Sequence, residues 1–114
     1  IRRKLNLMAG DVSTRLCGPT QLTATAATVY TAPSCLAVQV LDIHVANTSG
    51  TAVLCTLSLG TDAANKRLYS SLSIPANGVL SDRLFIVMTS AEILQAFASI
   101  ASTLTLTVTG VVTT

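Results

Sequence analysis

The stretch TLTLTVTGVVT, residues 103–113, decides the fold class. Leu104, Leu106, Val108 and Val112 share one parity, while Thr103, Thr105, Thr107 and Thr109 share the other. A period of two places successive side chains on opposite faces of an extended chain. This stretch therefore predicts a half-buried β-strand with an apolar inner face and a hydroxyl-coated outer one. Working back toward the N-terminus, shorter runs of the same kind alternate with turn residues. Val79 to Met88 and Arg67 to Ile74 are two such runs, joined by Pro75-Ala76-Asn77-Gly78. In the second of them Leu68, Leu72 and Ile74 share a parity. Thr51 to Gly60 places Val53, Cys55, Leu57 and Leu59 on one face, and Asn47-Thr48-Ser49-Gly50 forms the turn before it.

Leu36 to Asn47 changes phase. Val38 and Val40 point one way, then Leu41, Ile43 and Val45 take the other parity, which predicts a bulge or bend near Val40. Thr23 to Thr31 is the first run, closed by Ala32-Pro33-Ser34. Thr89 to Ser102 reads two ways. Ile93, Leu94, Phe97 and Ile100 fit helical spacing, with Thr89 and Glu92 as a capping box. Ile93, Gln95, Phe97 and Ser99 fit a strand. Turn signals every 8 to 12 residues or so, with no long helix, predict a single antiparallel β-sandwich or jelly roll of about seven strands. Its core is predicted to contain Val38, Ile43, Val45, Leu57, Leu59, Leu72, Ile74, Leu104, Leu106 and Val108. Residues 1–20 lack a clean period and end in Gly18-Pro19, so they read as an extended N-terminal arm ahead of a sandwich over 21–114.

Composition narrows the function. Half of the 114 residues are apolar, which excludes a disordered chain. No run of about 18 apolar residues exists to form a membrane-spanning helix, and no signal-peptide pattern is visible. Only 11% of residues are charged, whereas Ser and Thr supply 28. The charge is uneven: residues 1–15 carry +3 through Arg2, Arg3, Lys4 and Arg15 against Asp11, and the remainder carries −1. A nearly neutral body is a poor surface for a solitary soluble protein. It suits a module coated by hydroxyls and covered in part by neighbours.

Catalytic and ligand-binding readings are weak on residue chemistry. Asp42 and His44 share one face of a predicted strand and are the start of a Ser-His-Asp arrangement, but no G-x-S-x-G elbow supplies a nucleophile. Cys17, Cys35 and Cys55 lack the C-x-x-C pairing of a zinc site. Cys55 reads as a small core hydrophobe, and Cys17 and Cys35 as reduced thiols beside turns. Asp62 and Asn65 in GTDAAN are too few oxygens for calcium. No phosphate-cradling glycine motif occurs. Arg2, Arg3 and Lys4 could neutralise phosphates, but the body has no basic face, and Tyr30, Tyr69, Phe85 and Phe97 are too scattered to stack bases. Neither nucleic acid nor membrane is expected as a partner, and no metal, cofactor or catalytic residue is expected.

Four segments, in order, carry a resemblance: ATVYTAPS (27–34), IHVANTSGTAV (43–53), AANKRLYSSLSIPANGVL (63–80) and LTVTGVV (106–112). Together they resemble a group of small β-sandwich structural proteins found in the virions of tailed bacteriophages. Where that group tends to carry a Gly-Asp turn ahead of the segment matching Ile93 to Ala98, this chain has Thr89-Ser90-Ala91-Glu92. The resemblance implies a non-enzymatic virion component without cofactor. The leading expectation is a capsid decoration, or cement, protein on the head exterior. Its partners would be the major capsid protein or other virion proteins, and it would itself be a homo-oligomer. The alternative is a tail, baseplate or fibre module, with a host glycan as a conceivable ligand. The arm residues Arg2, Arg3, Lys4, Leu5, Leu7 and Leu16 are the expected docking residues. The leucines would fill shallow pockets or add a strand to a sheet edge, and the cations would meet acidic surface.

Overall fold

In the computed structural model, which describes residues 11–33 and 37–113, the alternation at 103–113 is a strand with Leu104, Leu106 and Val108 fully buried. Eight strands occur among the described residues. They are β1 (Asp11–Gln21), β2 (Ala27–Thr31), β3 (Ala37–Asn47), β4 (Val53–Leu59), β5 (Arg67–Ile74), β6 (Val79–Met88), β7 (Ile93–Ala98) and β8 (Leu104–Thr113). One 3-10 turn, Ala64–Lys66, precedes β5. The strands form two four-stranded sheets, ordered β1-β8-β3-β6 and β2-β7-β4-β5, with every neighbouring pair antiparallel.

The pairing has a simple logic. β1 pairs with β8, β2 with β7, β3 with β6 and β4 with β5, as in one long hairpin. Rolling that hairpin on itself adds β3 against β8 and β4 against β7. The result is a jelly roll, a sandwich that buries one face of each sheet against the other. Its core is aliphatic: Val38, Val40, Ile43, Val45 and Met88 from the first sheet meet Val53, Leu57, Ile74 and Leu94 from the second.

The phase switch in β3 is real. Register slips between Val40 and Asp42 against both β6 and β8. As a result Val40 and Ile43, three apart, both face inward. Gly110 lies opposite Val40 beside this bulge, where a Cβ would run into the backbone carbonyl oxygen of Gln39. Glycine is the residue that fits so close a backbone approach.

Two expectations are corrected and one open reading is resolved. The strand beyond the expected seven is β1, within the segment read as an arm. Its register against β8 slips between Arg15 and Cys17 and again between Cys17 and Thr20, which erases the alternation a strand would show. Residues 1–10 lie outside the described residues. Of the two readings of residues 89–102 the strand holds: 93–98 are β7, and the Thr89/Glu92 signal is a tight turn. The Glu92 carboxylate accepts from the Thr89 backbone N–H at 2.7 Å and from its hydroxyl at 3.0 Å. The inward residues of β7 are Leu94, Ala96 and Ala98, and two alanines make a faint apolar signal. Finally, Leu72 is 37% exposed rather than core. It lies opposite Cys55, but on β5, the last described strand of its sheet, with no described strand beyond to cover it. Leu59 is half-buried and packs against the core.

The turn at Asn47 is held by more than its sequence type. The Asn47 amide nitrogen donates to the carbonyls of Thr51, Ile74 and Pro75 at 2.9, 3.0 and 3.0 Å. Its oxygen accepts from the Ser49 backbone N–H and hydroxyl at 2.9 and 2.8 Å. This buried side chain ties the β3–β4 connection to the β5–β6 connection.

Candidate docking surface

Each candidate for chemistry has a definite place. Asp42 and His44 lie on the outer face of β3, and Ser81 of β6 stands opposite His44. The three residue types of a hydrolytic triad are thus in line on a flat face. His44 and Ser81 are both exposed, and no hydrogen bond among the described residues joins the three. Asp42 instead has Oδ1 buried without a partner. A triad works through hydrogen bonds that hold the base and raise the nucleophile's reactivity, so this alignment does not supply one. No pocket opens among the described residues.

Asp62 is engaged within the protein. It accepts from Arg67 Nε at 3.1 Å and a second guanidinium nitrogen at 3.2 Å, and from the Ser58 hydroxyl at 2.5 Å. Arg67 and then Ser58 hold its carboxyl below the usual carboxylate range. The Gln95 side-chain oxygen accepts from the Asp62 backbone N–H, and the Arg67 guanidinium lies 5.8 Å above the Phe97 ring. This network staples the 60–66 loop to the outer face of β4 and β7. The Asp62 oxygens weighed for calcium are therefore taken. Among the described residues no group of three His, Cys, Asp or Glu is placed to hold a metal. Cys17 and Cys55 are free and buried, and burial pushes the Cys55 thiol up to about 11. Cys35 lies outside the described residues.

Of the expected docking residues, Arg2, Arg3, Lys4, Leu5 and Leu7 lie outside the described residues. Leu16 is on β1, half-buried and packed against the core. An exposed apolar surface that the sequence reading missed is on β6. Val79, Phe85 and Val87 point outward there with 55%, 64% and 47% of their surfaces exposed. The inward residues of the same strand are Leu80, Asp82, Leu84, Ile86 and Met88. The visible signal was apolar residues on both parities of VLSDRLFIVM, more than one buried face needs. Because β6 is the last described strand of its sheet, no described strand pairs with its outer backbone groups.

No known protein family matches the chain, and no curated protein is similar to it. Solved structures are. A chain of infectious bursal disease virus, Gx strain, superposes with a TM-score of 0.58 at 11% identity over 90% of this chain. This chain spans only 32% of that one. A Bacillus endospore appendage protein, from a family of disulfide-linked pili, gives 0.54 at 13% identity, covering 91% of this chain and 88% of that one. Tobacco streak virus coat protein gives 0.51 at 8% identity, covering 92% and 87%. At these identities the likeness is one of fold. The class it defines is the antiparallel jelly-roll sandwich, shared by chains from viruses and from a surface appendage.

Proposed function

We propose that this chain is a non-enzymatic structural protein of a virion: a decoration, or cement, protein that docks on the outside of a phage head and stabilises the shell. The observation that carries the reading is the charge-poor, apolar surface of the jelly roll, with 11% charged residues in the chain and Val79, Phe85 and Val87 exposed. A body with this few charges and this much apolar edge gains free energy by being covered, at about 25 cal/mol per Å² of apolar area before association costs. Its fold likeness to a viral coat protein supports the same reading. The N-terminal segment supplies further attachment through Arg2, Arg3, Lys4, Leu5 and Leu7. Many identical weak docks on a symmetric shell add through avidity.

The test is the number of copies per particle, by quantitative mass spectrometry of purified virions and cryo-electron microscopy of the head. Copies in the hundreds on the head exterior are expected. A few copies at the neck or tail would replace this reading with the tail-module one, and absence from particles would end both.

A further inference from the structure

The four outer strands of the two sheets are not alike. β1 has two register slips, and β2 is five residues long with one slip. β5 has two slips and a left-handed residue, Ser71, at φ 51°. Short, kinked edges of this kind resist pairing with another chain. β6 is ten residues long and has one slip against β3, where Leu84 and Phe85 span the gap opposite Leu41, yet its side chains alternate outward and inward from Val79 to Met88. Among the described edge strands it is the one whose outward–inward alternation runs longest, and it carries Val79, Phe85 and Val87 on its outer face.

We propose that two copies of this chain pair through β6, antiparallel about a twofold axis at Leu84, joining their β1-β8-β3-β6 sheets into one continuous sheet. The occupant and the register follow from the strand itself. Antiparallel self-pairing sets residue i against residue j with i plus j constant, and outward residues must meet outward ones. An axis at Asp82 sets Asp82 against its own copy, and an axis at Arg83 does the same to Arg83. Like charges directly opposite destabilise such a pair. An axis at Phe85 leaves Val79, Leu80 and Ser81 unpaired. The axis at Leu84 pairs all of β6 but Val79 with no like charges opposed. It sets Leu84 against Leu84, Leu80 against Met88, Ser81 against Val87 and Asp82 against Ile86. The Asp82 carboxylate already accepts the Tyr69 hydroxyl within its own copy. On the outer face, Arg83 of each copy meets Phe85 of the other, a cation beside an aromatic ring, twice over. An isologous contact of this kind closes at two.

This inference stands on β6 and not on the virion reading, so it is tested on the purified protein alone. Sedimentation velocity and light scattering across a concentration series should show a species of twice 11.8 kDa. Phe85→Lys faces Arg83 of the other copy and should weaken the dimer at least about tenfold. The double variant Arg83→Glu, Phe85→Lys recreates opposite charges only in the Leu84 register, and should restore pairing. Phe85 and Arg83 are both exposed, so circular dichroism of the variants should match the parent. A chain lacking residues 1–10 keeps all eight strands and should still dimerise. A monomer at every concentration overturns the proposal, as does an assembly larger than two. Equal loss in the single and double variants overturns the register. Loss of association on removing residues 1–10 gives the β6 edge to that segment instead.

Discussion

Tyr69 and Asp82 sit on β5 and β6, the last strands of different sheets, and the Tyr69 hydroxyl donates to Oδ2 of Asp82 at 2.6 Å. This bond crosses the sandwich on the side where neither sheet has a further described strand. Burial first, then the hydrogen bond and charge of Asp82, push the Tyr69 pKa far above its ordinary value of 10.0. A group whose pKa is raised on folding stabilises the fold fully below its unfolded value, and that contribution is lost as pH rises through the folded one. Stability should therefore fall as pH climbs above about 10, because the unfolded chain gives up the Tyr69 proton first. Urea unfolding across alkaline pH checks this. Tyr69→Phe should be less stable than the parent at neutral pH by about 1–3 kcal/mol, for a lost hydrogen bond to a charged group. It should also show a shallower alkaline decline. Tyr30, whose pKa burial also raises, titrates in both proteins. An identical alkaline slope in the two would show that the Asp82 contact contributes nothing.

The direction each strand faces can be weighed by truncation. Leu106 is 1% exposed in the centre of the first sheet, between β1 and β3. Leu106→Ala should cost about 2–5 kcal/mol through lost burial and a residual cavity. Thr105→Ala, on the other parity, should cost far less. Leu72→Ala should fall well below Leu106→Ala because its side chain is already in part solvated. Chemical denaturation of the three variants ranks them, and a Leu72→Ala loss equal to that of Leu106→Ala would place a covering neighbour over β5.

Asn47 offers a sharper chemical test, because its amide nitrogen faces carbonyls and its oxygen faces donors. Asn47→Ala should destabilise by about 2–4 kcal/mol, leaving buried carbonyls unpaired. Asn47→Asp keeps the shape but turns a carboxylate oxygen toward those same carbonyls. It should be worse than Asn47→Ala at neutral pH. It should recover in part in acid, where a protonated carboxyl can donate once more. Thermal unfolding of both variants at neutral and acidic pH reads this directly. Equal stability of Asn47→Asp and the parent at neutral pH would contradict the assigned amide orientation.

What the sequence shows of this fold depends on how regular each strand is. β8 is unbroken, pairs on both sides and packs one face only, so its period of two is plain. The bulge in β3 was legible because apolar residues stand on both sides of the phase change, at Val40 and Ile43. β1 was hidden because its two slips scramble the same signal. β7 was ambiguous because its inward face is largely alanine, and a cap-like Thr89/Glu92 pair sits at its entry. Leu72 shows a different limit: parity gives a side chain's face but not whether a further strand covers it. The same limit hid the β6 surface. Which strands end their sheets is set by long-range pairing, and only that pairing makes Phe85 and Val87 an exposed edge.

The N-terminal segment is tested by a cut placed where the fold allows it. Removing residues 1–18 would take most of β1, strip β8 of one neighbour and uncover Leu106 and Val108 on that side. Loss of binding by that variant would report unfolding. Removing residues 1–10 leaves every described strand in place, so circular dichroism and thermal midpoint should stay close to those of the full chain. Arg2, Arg3 and Lys4 meeting acidic shell surface would give a contribution that weakens with salt, since the screening length falls from about 10 Å at 0.1 M to about 3 Å at 1 M. Leu5 and Leu7 would give one that does not. Binding of purified protein to undecorated heads should therefore fall on removing residues 1–10. Replacing Arg2, Arg3 and Lys4 with Ala should reduce both affinity and its salt dependence. Replacing Leu5 and Leu7 with Ala should reduce affinity and leave the salt dependence alone. If the shortened protein binds heads with unchanged affinity and occupancy, attachment lies on the jelly roll itself and residues 1–10 have no part in it.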